Sequence, residues 1–276
     1  MIHNPRVLVF GGGWIGNRLI RENGWFLSGA DILDKEAVRE AIKDLDPVSV
    51  VNAAGKCGSP NIDACLDDMG GVEASNVTGA IQLAKICEEM GRHFIHLSSG
   101  CLWESGEGYT PKSPTQPPSF YSRTKVQAEE GMRKTNPAII RLRMPIDSRP
   151  HPRNLIDKLL RYPQLISRPC SVTTIQLLAA AVKEVAQRQM TGTFHVVHPG
   201  PITNIQILES YSRNVELVDP KVLVTQEQLL DQGYIKELRS FAILESSADQ
   251  FDTDFEDAHT AVEALMKEYA KRVKRV

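Results

Sequence analysis

Val7-Leu8-Val9-Phe10-Gly11-Gly12-Gly13-Trp14-Ile15-Gly16 sets four consecutive apolar residues directly before a glycine-rich turn. A short, unbroken apolar run is expected of a strand buried on both faces, as in a parallel sheet. The spacing Gly11-x-Gly13-x-x-Gly16, placed between such a strand and a helix over 17–22, permits a tight turn and the close approach of a pyrophosphate to the helix N-terminus. The pattern alone is weak. Its position between strand and helix makes Gly11, Gly13 and Gly16 candidates for contact with a dinucleotide.

The same alternation continues outward. Trp25-Phe26-Leu27 reads as a second strand, and Asp34 as the cap of a helix with apolar positions Ala37, Val38, Ala41, Ile42 and Leu45, closed by Pro47. Strands follow at Val48–Val51, Phe94–Leu97 and Ala138–Arg143, with a helix from Ala74 to Met90 stopped at Gly91 and another beginning at Tyr121. Such an order predicts an α/β fold, a Rossmann-like doubly wound parallel sheet, with ligands at the carboxyl ends of the strands. Asn52, Ser99 and Cys101 fall at such ends.

Residues 104–119, rich in Gly, Pro, Ser and Thr, read as a loop and a flap over the site. Beyond Pro145 the alternation loosens into a smaller C-terminal substrate lobe, apart from a helix over 173–189 and a strand over 193–197 that return to the first unit. The expected division is 1–145 plus about 171–197 for the dinucleotide and 146–170 plus about 198–276 for the substrate. Helices are expected at 203–213, 225–234 and 254–273, the last ending in the cationic run Lys271-Arg272-Val273-Lys274-Arg275 that complements a helix C-terminus.

Composition narrows the partners. In 276 residues the hydrophobic and charged fractions of 42 % and 24 % are those of a globular chain, and a formal charge of −2 gives no electrostatic case for nucleic acid or an anionic membrane. Five irregularly spaced cysteines (57, 65, 87, 101, 170) without a Cys-x-x-Cys pair argue against a disulfide framework or a metal site and for a reduced, cytoplasmic protein. Met1 to Asn4 leave no room for a signal peptide before the first strand, and no apolar run reaches membrane-spanning length.

The chemistry centres on Ser99-Gly100-Cys101 and Tyr121-Ser122-Arg123-Thr124-Lys125. On a helix, Tyr121 and Lys125 lie one turn apart on one face, where an ammonium can lower the pKa of a phenol and make it a proton donor to a carbonyl receiving hydride. Ser99 can donate a hydrogen bond to that carbonyl. Cys101 is either a small buried hydrophobe or a second acid/base group, and the residues alone leave both open. Cys57, Cys65, Cys87 and Cys170 read as structural, and His93 and His96 as packing residues. Asp31 and Asp34 have the spacing of a ribose-reading acid, while Arg18 or Ser28 would favour a 2′-phosphate.

Together these segments resemble the extended short-chain dehydrogenases/reductases, in the sugar-nucleotide branch that includes dTDP-4-dehydrorhamnose reductase. Gly13-Trp14-Ile15-Gly16, Asn52-Ala53-Ala54-Gly55, Pro60-Asn61-Ile62-Asp63, Asn76-Val77, Gly100-Cys101-Leu102-Trp103-Glu104, Phe120-Tyr121-Ser122, Arg141 to Ile146, Pro152-Arg153-Asn154 and Thr191-Gly192-Thr193-Phe194 carry it over about residues 5–210. They are similar above all to the bifunctional 3,5-epimerase/4-reductases that make nucleotide-linked rhamnose. The resemblance implies a reductase set of Asn76, Ser99, Tyr121 and Lys125, an epimerisation pair of Cys101 and Lys158, and substrate contacts at Asn154, Arg143, Met144 and Arg239. It implies cofactor contacts at Trp14, Ile15, Arg18, Asp31, Ile32, Ala53 and Ala54 beside the glycines, Tyr121 and Lys125.

The implied cofactor is NADPH, with NADH left open by the short glycine loop and by Ala30 where a basic residue is expected. The implied substrate is a nucleoside-diphosphate 4-keto-6-deoxyhexose, with the base and sugar open because Phe241-Ala242 replace paired asparagines after Arg239-Ser240. A homodimer follows by family analogy only. Two other functions remain at this level: a 4-reductase served by a separate epimerase, and a cofactor-binding regulatory subunit.

Overall fold

The computed structural model describes residues 5–273, so Met1–Asn4 and the Lys274-Arg275 end of the cationic run lie outside the described residues. The first half runs β1 (Val7–Phe10), α1 (Trp14–Asn23), β2 (Phe26–Ser28), α2 (Lys35–Leu45), β3 (Ser49–Asn52), α3 (Met69–Glu73), α4 (Ala80–Glu89), β4 (His93–Ser99), β5 (Ser105–Tyr109), α5 (Phe120–Met132) and β6 (Ala138–Leu142). There follow β7 (Pro145–Ile146), α6 (Leu155–Arg161), β8 (Gln164–Leu165), β9 (Thr173–Thr174), α7 (Ile175–Arg188), β10 (Gly192–His195), α8 (Asn204–Asn214), β11 (Val222–Leu223), α9 (Gln226–Asp231), β12 (Phe241–Leu244) and α10 (Ala258–Val273).

Six parallel strands form the central sheet in the order β10-β6-β4-β3-β1-β2. Alternate residues of each strand feed separate cores, because successive side chains leave opposite faces. Val7, Val9, Val51 and Ile95 join Leu19 of α1 and Leu178, Val182 and Val185 of α7, whereas Leu8, Phe10, Val50 and Phe94 join Val38 and Ile42 of α2 and Leu83 of α4. Burial on both faces is why β1 reads as a continuous apolar run. Asp34 caps α2 as expected, its Oδ1 accepting from the backbone N–H of Glu36 and Ala37 at 3.1 Å, a cap worth about 1 kcal/mol.

The chain adds β2 on one side of β1 and then crosses to place β3 on the other, which opens a crevice at the carboxyl ends of these strands. Two glycines let the loops meet there. Gly11 has φ +101° and a Cβ on it would stand 2.3 Å from Ala54 N, while a Cβ on Gly16 would stand 2.0 Å from Gly11 O. Any side chain would push the turn after β1 away from the turn after β3.

Three expectations are corrected. The helix expected from Ala74 to Met90 begins earlier and carries a π-helical stretch, Ala74–Gly79, between α3 and α4. Such an insertion re-aims side chains, here Asn76. Residues 104–119 are not a flap, because β5 pairs with β12, Trp103 Nε1 donates to Pro114 O at 2.6 Å and Gln116 N to Leu102 O at 2.8 Å. Finally, β12 packs with Leu102 and Trp103, and Phe251 and Phe255 enter the core of α7, so the 241–255 stretch sits on the first unit rather than in the C-terminal core of α6, α8 and α10. No helix among the described residues is long and apolar enough to cross a membrane.

Candidate active site

A cavity of about 690 Å3 lies at the crevice, lined by Gly13, Trp14, Ile15, Ala53 and Ala54, by Met144, Lys158 and Arg239, and by Asn76, Ser99, Cys101, Tyr121 and Lys125. Thirteen of the residues singled out from the sequence thus share one space although they come from distant stretches of chain. Gly11, Gly16, Arg18, Asp31, Ile32, Arg143 and Asn154 do not line it.

Helix α5 presents the phenol and amine. Ser119 caps it by accepting from Ser122 N at 3.2 Å, and the Glu237 carboxylate accepts from Phe120 N at 2.9 Å, which fixes the first turn that carries Tyr121. Lys125 is buried, with Nζ donating to Leu97 O at 2.9 Å and lying 3.2 Å from His96 Nε2. Burial pulls the Lys125 ammonium down to about 8 against the opposing charges of Glu129 and Cys57. Tyr121 moves the other way. Burial pushes the phenol up, the thiols Cys57, Cys101 and Cys65 add to the shift, and a hydrogen bond with Ser99 works against it. The expectation that Lys125 lowers the Tyr121 pKa is therefore corrected: the amine is turned towards Leu97 O and His96.

Cys101 follows β4 in a turn where its N–H donates to Ser99 Oγ at 3.1 Å. Arg143 stands behind the thiol. It is buried, its Nη1 donates to Cys101 Sγ at 2.9 Å and its Nη2 to Ser240 O at 2.6 Å. Met144 adopts φ +44°, a conformation that costs a side chain about 1–3 kcal/mol and that turns the backbone so that Arg143 meets the sulfur while Met144 reaches the cavity. The substrate contact expected of Arg143 becomes a contact to the thiol.

Lys158 also lines the cavity, and its amine is pulled down by burial and by the neighbouring Arg153 and Arg161, against Cys57. Cys57 is the residue that the sequence reading missed. It lines the cavity, accepting from Arg153 Nη1 at 2.8 Å, and the available signal was its place shortly after a buried strand in the series that ends in Asn52 and Ser99. Asn154 is fully buried as the cap of α6, spending its amide on Asp147 O at 2.9 Å and Arg149 O at 3.2 Å, so it supports α6 instead of touching a ligand. Asn76 pins the turn after β3, its Oδ1 accepting from Lys56 N at 2.7 Å and its Nδ2 donating to Lys56 O at 2.9 Å. Arg239 lines the cavity with both Nη atoms donated to Asp63, at 2.8 and 2.6 Å. Burial alone would raise the Asp63 carboxyl, but the hydrogen bond and charge of Arg239 hold it below the usual range.

The crevice suits a dinucleotide. Gly13 begins α1 without a side-chain cap, no acidic residue occupies the first turn, and a Cβ on Gly13 would meet nothing within 4 Å. The first N–H groups of α1 are thus open to a pyrophosphate. Arg18 is not placed for a 2′-phosphate, since Nε donates to Asp147 at 2.6 Å and Nη1 pairs with Glu22 at 2.8 Å. Ile32 is buried in the core of α2, and the exposed Asp31 spends Oδ1 on Leu33 N at 2.9 Å. Among the described residues, no group of three or more His, Cys, Asp or Glu side chains is placed to hold a metal ion.

Residues 6–228 match the family described as RmlD substrate binding domain. The chain is 31 % identical over 277 aligned residues, 94 % of its length and 91 % of the relative's, to the bifunctional dTDP-4-dehydrorhamnose 3,5-epimerase/dTDP-4-dehydrorhamnose reductase of Arabidopsis thaliana. Among solved structures it resembles the UDP-rhamnose synthase of Acanthamoeba polyphaga mimivirus (TM-score 0.88, 24 % identity, 96 % and 99 % of the two chains). It also resembles a dTDP-4-dehydrorhamnose reductase of Bacillus anthracis in complex with NADP (TM-score 0.77, 15 % identity, 96 % and 98 %). Both likenesses concern the fold.

Proposed function

The chain belongs to the RmlD substrate-binding-domain family, and on that premise we propose that it is an NADPH-dependent enzyme of nucleotide-rhamnose synthesis, a 4-reductase that also epimerises C3 and C5 of a nucleoside-diphosphate 4-keto-6-deoxyhexose. The observation that carries the reading is the convergence of Ser99, Tyr121 and Lys125 with Cys101 and Lys158 on one cavity. A reductase needs the first three. The last two are suited to moving protons on carbon.

A ketone at C4 acidifies the C–H bonds at C3 and C5, and a hydrogen bond from Ser99 or Tyr121 stabilises the enolate that forms. Cys101 and Lys158, which line the same cavity, remove and return protons so that each carbon inverts. The lowered pKa of Lys158 suits an amine that takes a proton and gives it back. Tyr121 is the acid that protonates the C4 oxygen, a role suited by the raised phenol, which keeps its proton until an alkoxide forms. NADPH, when bound, supplies the hydride to C4. Gly13 and the first turn of α1 would hold its pyrophosphate, with Ala53, Ala54 and Lys125 lining the same cavity.

The test uses UDP- and dTDP-4-keto-6-deoxyglucose with NADPH in heavy water. Cys101→Ala should abolish deuterium wash-in at C3 and C5 and still reduce a pre-epimerised ketone. Wild-type product without deuterium would reduce the reading to a 4-reductase, and no turnover of either sugar nucleotide would end it.

A further inference from the structure

His96 lies in the middle of β4 with no exposed surface, between Asn52 of β3 and Lys125 of α5. The orientation of Asn52 is fixed, because its Oδ1 accepts from Ala54 N at 3.0 Å and the amide cannot turn without facing N–H against N–H. Its Nδ2 therefore meets His96 Nδ1, at 3.2 Å. Since Nδ2 can only donate, Nδ1 accepts and the imidazole proton sits on Nε2, which lies 3.2 Å from Lys125 Nζ. An ammonium has no lone pair for that proton. The arrangement Asn52 to His96 to Lys125 is complete only when Nζ is a neutral amine; a charged Lys125 requires the proton on Nδ1, facing Nδ2 of Asn52.

We propose that His96, set by Asn52, is a positioning residue that ties the charge of Lys125 to its own tautomer and biases the amine towards its neutral form. Burial and the charge of Lys125 hold His96 well below the ordinary imidazole range, so it has one N–H to place. The charged and titratable groups around Lys125 are Glu129 and Tyr121 on its own helix, Cys57 from the turn after β3, and His96 from β4. Glu129 is already committed to Arg141, whose Nη2 lies 2.6 Å away, and to Ser98. Among the described residues Lys125 is the charged group that acts on His96, which also meets Asn52 and the ring of Phe94. The inference rests on the reductase reading, in which Lys125 is one of the three residues that ketone reduction needs, for its consequence: the bias sets the alkaline limb of ketone reduction.

Two substitutions remove the bias. In Asn52→Asp a carboxylate accepts from Nδ1–H, and in His96→Gln the side-chain carbonyl can accept from the ammonium, so the Lys125 midpoint should rise by about one pH unit, the size of one buried mismatched hydrogen bond. The measurement is an NMR titration of 13Cε-labelled lysine in the full chain, without substrate, alongside imidazole 15N shifts in the wild type. The proposal expects the upward shift in the folded variants and a wild-type tautomer that switches from Nδ1–H to Nε2–H at the Lys125 midpoint. An unmoved or lowered midpoint, or one tautomer throughout, overturns it. Where the titration shifts and neither sugar nucleotide is reduced, the inference stands and the functional reading fails. Where reduction proceeds and its alkaline limb stays fixed in both variants, the inference fails alone.

Discussion

Replacing Arg143 with methionine removes the guanidinium that donates to Cys101 and fills much of the same volume. The lost contact is a charge-assisted hydrogen bond of 2.9 Å to sulfur, and bonds to charged groups are worth about 1.5–3 kcal/mol. Made in full at the transition state for proton abstraction, that corresponds to a slowing of roughly 10- to 150-fold. The fold should survive. Ser240 O loses its partner, at about 1–3 kcal/mol, but the guanidinium itself already holds an unpartnered buried Nε, so its removal offsets part of that loss. The assay follows deuterium entry at C3 and C5 by proton NMR, with reduction of a pre-epimerised ketone measured in parallel and a thermal melt as control. Wash-in should fall while reduction stays near wild type. Unchanged wash-in in a folded variant, or a parallel fall in both rates, would refute the assignment of Arg143 to the thiol.

Gly16→Ala places a Cβ 2.0 Å from Gly11 O, so the turn after β1 must shift, and fluorescence titration should show NADPH affinity falling at least tenfold; unaltered binding would contradict the role of the turn. Lys125→Met tests the cost of the buried amine. A fall from 10.5 to about 8 is a penalty of roughly 3 kcal/mol, complete below pH 8 and gone above 10.5, because between those values the unfolded chain holds the extra proton. Two lost hydrogen bonds from an ammonium, about 1.5–3 kcal/mol each, are of the same size or larger at pH 7, so the signature is the pH dependence. Wild type should gain stability relative to the variant as the pH rises from 8 to 10.5 while ketone reduction collapses in the variant, and a difference in melting temperature that does not change with pH would contradict this. Lys158, also pulled down by burial, should give the wash-in rate a limb that rises with pH below the ordinary lysine range; Lys158→Met should abolish the limb, and its persistence would assign the titration elsewhere.

What could be read from the sequence was set by local physics. The apolar run of β1, the glycine turn, the Asp34 cap and the one-turn spacing of Tyr121 and Lys125 depend on neighbours in the chain, and all of these features are present. What escaped depends on partners far away. Arg18 looked free for a phosphate because Asp147, which claims it, lies 129 residues on, and the Gly/Pro-rich 104–119 segment looked mobile because β12 arrives more than 130 residues later. The backbone turn at Met144 that sends Arg143 to the thiol has no glycine or asparagine to announce it. Cys57 and Cys101 are chemically alike in the sequence, and only the fold shows that both reach the cavity.

The central claim is that one cavity inverts carbon and reduces the ketone with separate side chains, and Tyr121→Phe tests it most directly. Incubated in heavy water with NADPH and the 4-keto-6-deoxyhexose nucleotide, this variant should accumulate ketone carrying deuterium at C3 and C5 while reduction slows by roughly 10²–10⁴-fold. Ketone that stays free of deuterium, or reduction at the wild-type rate, would contradict it.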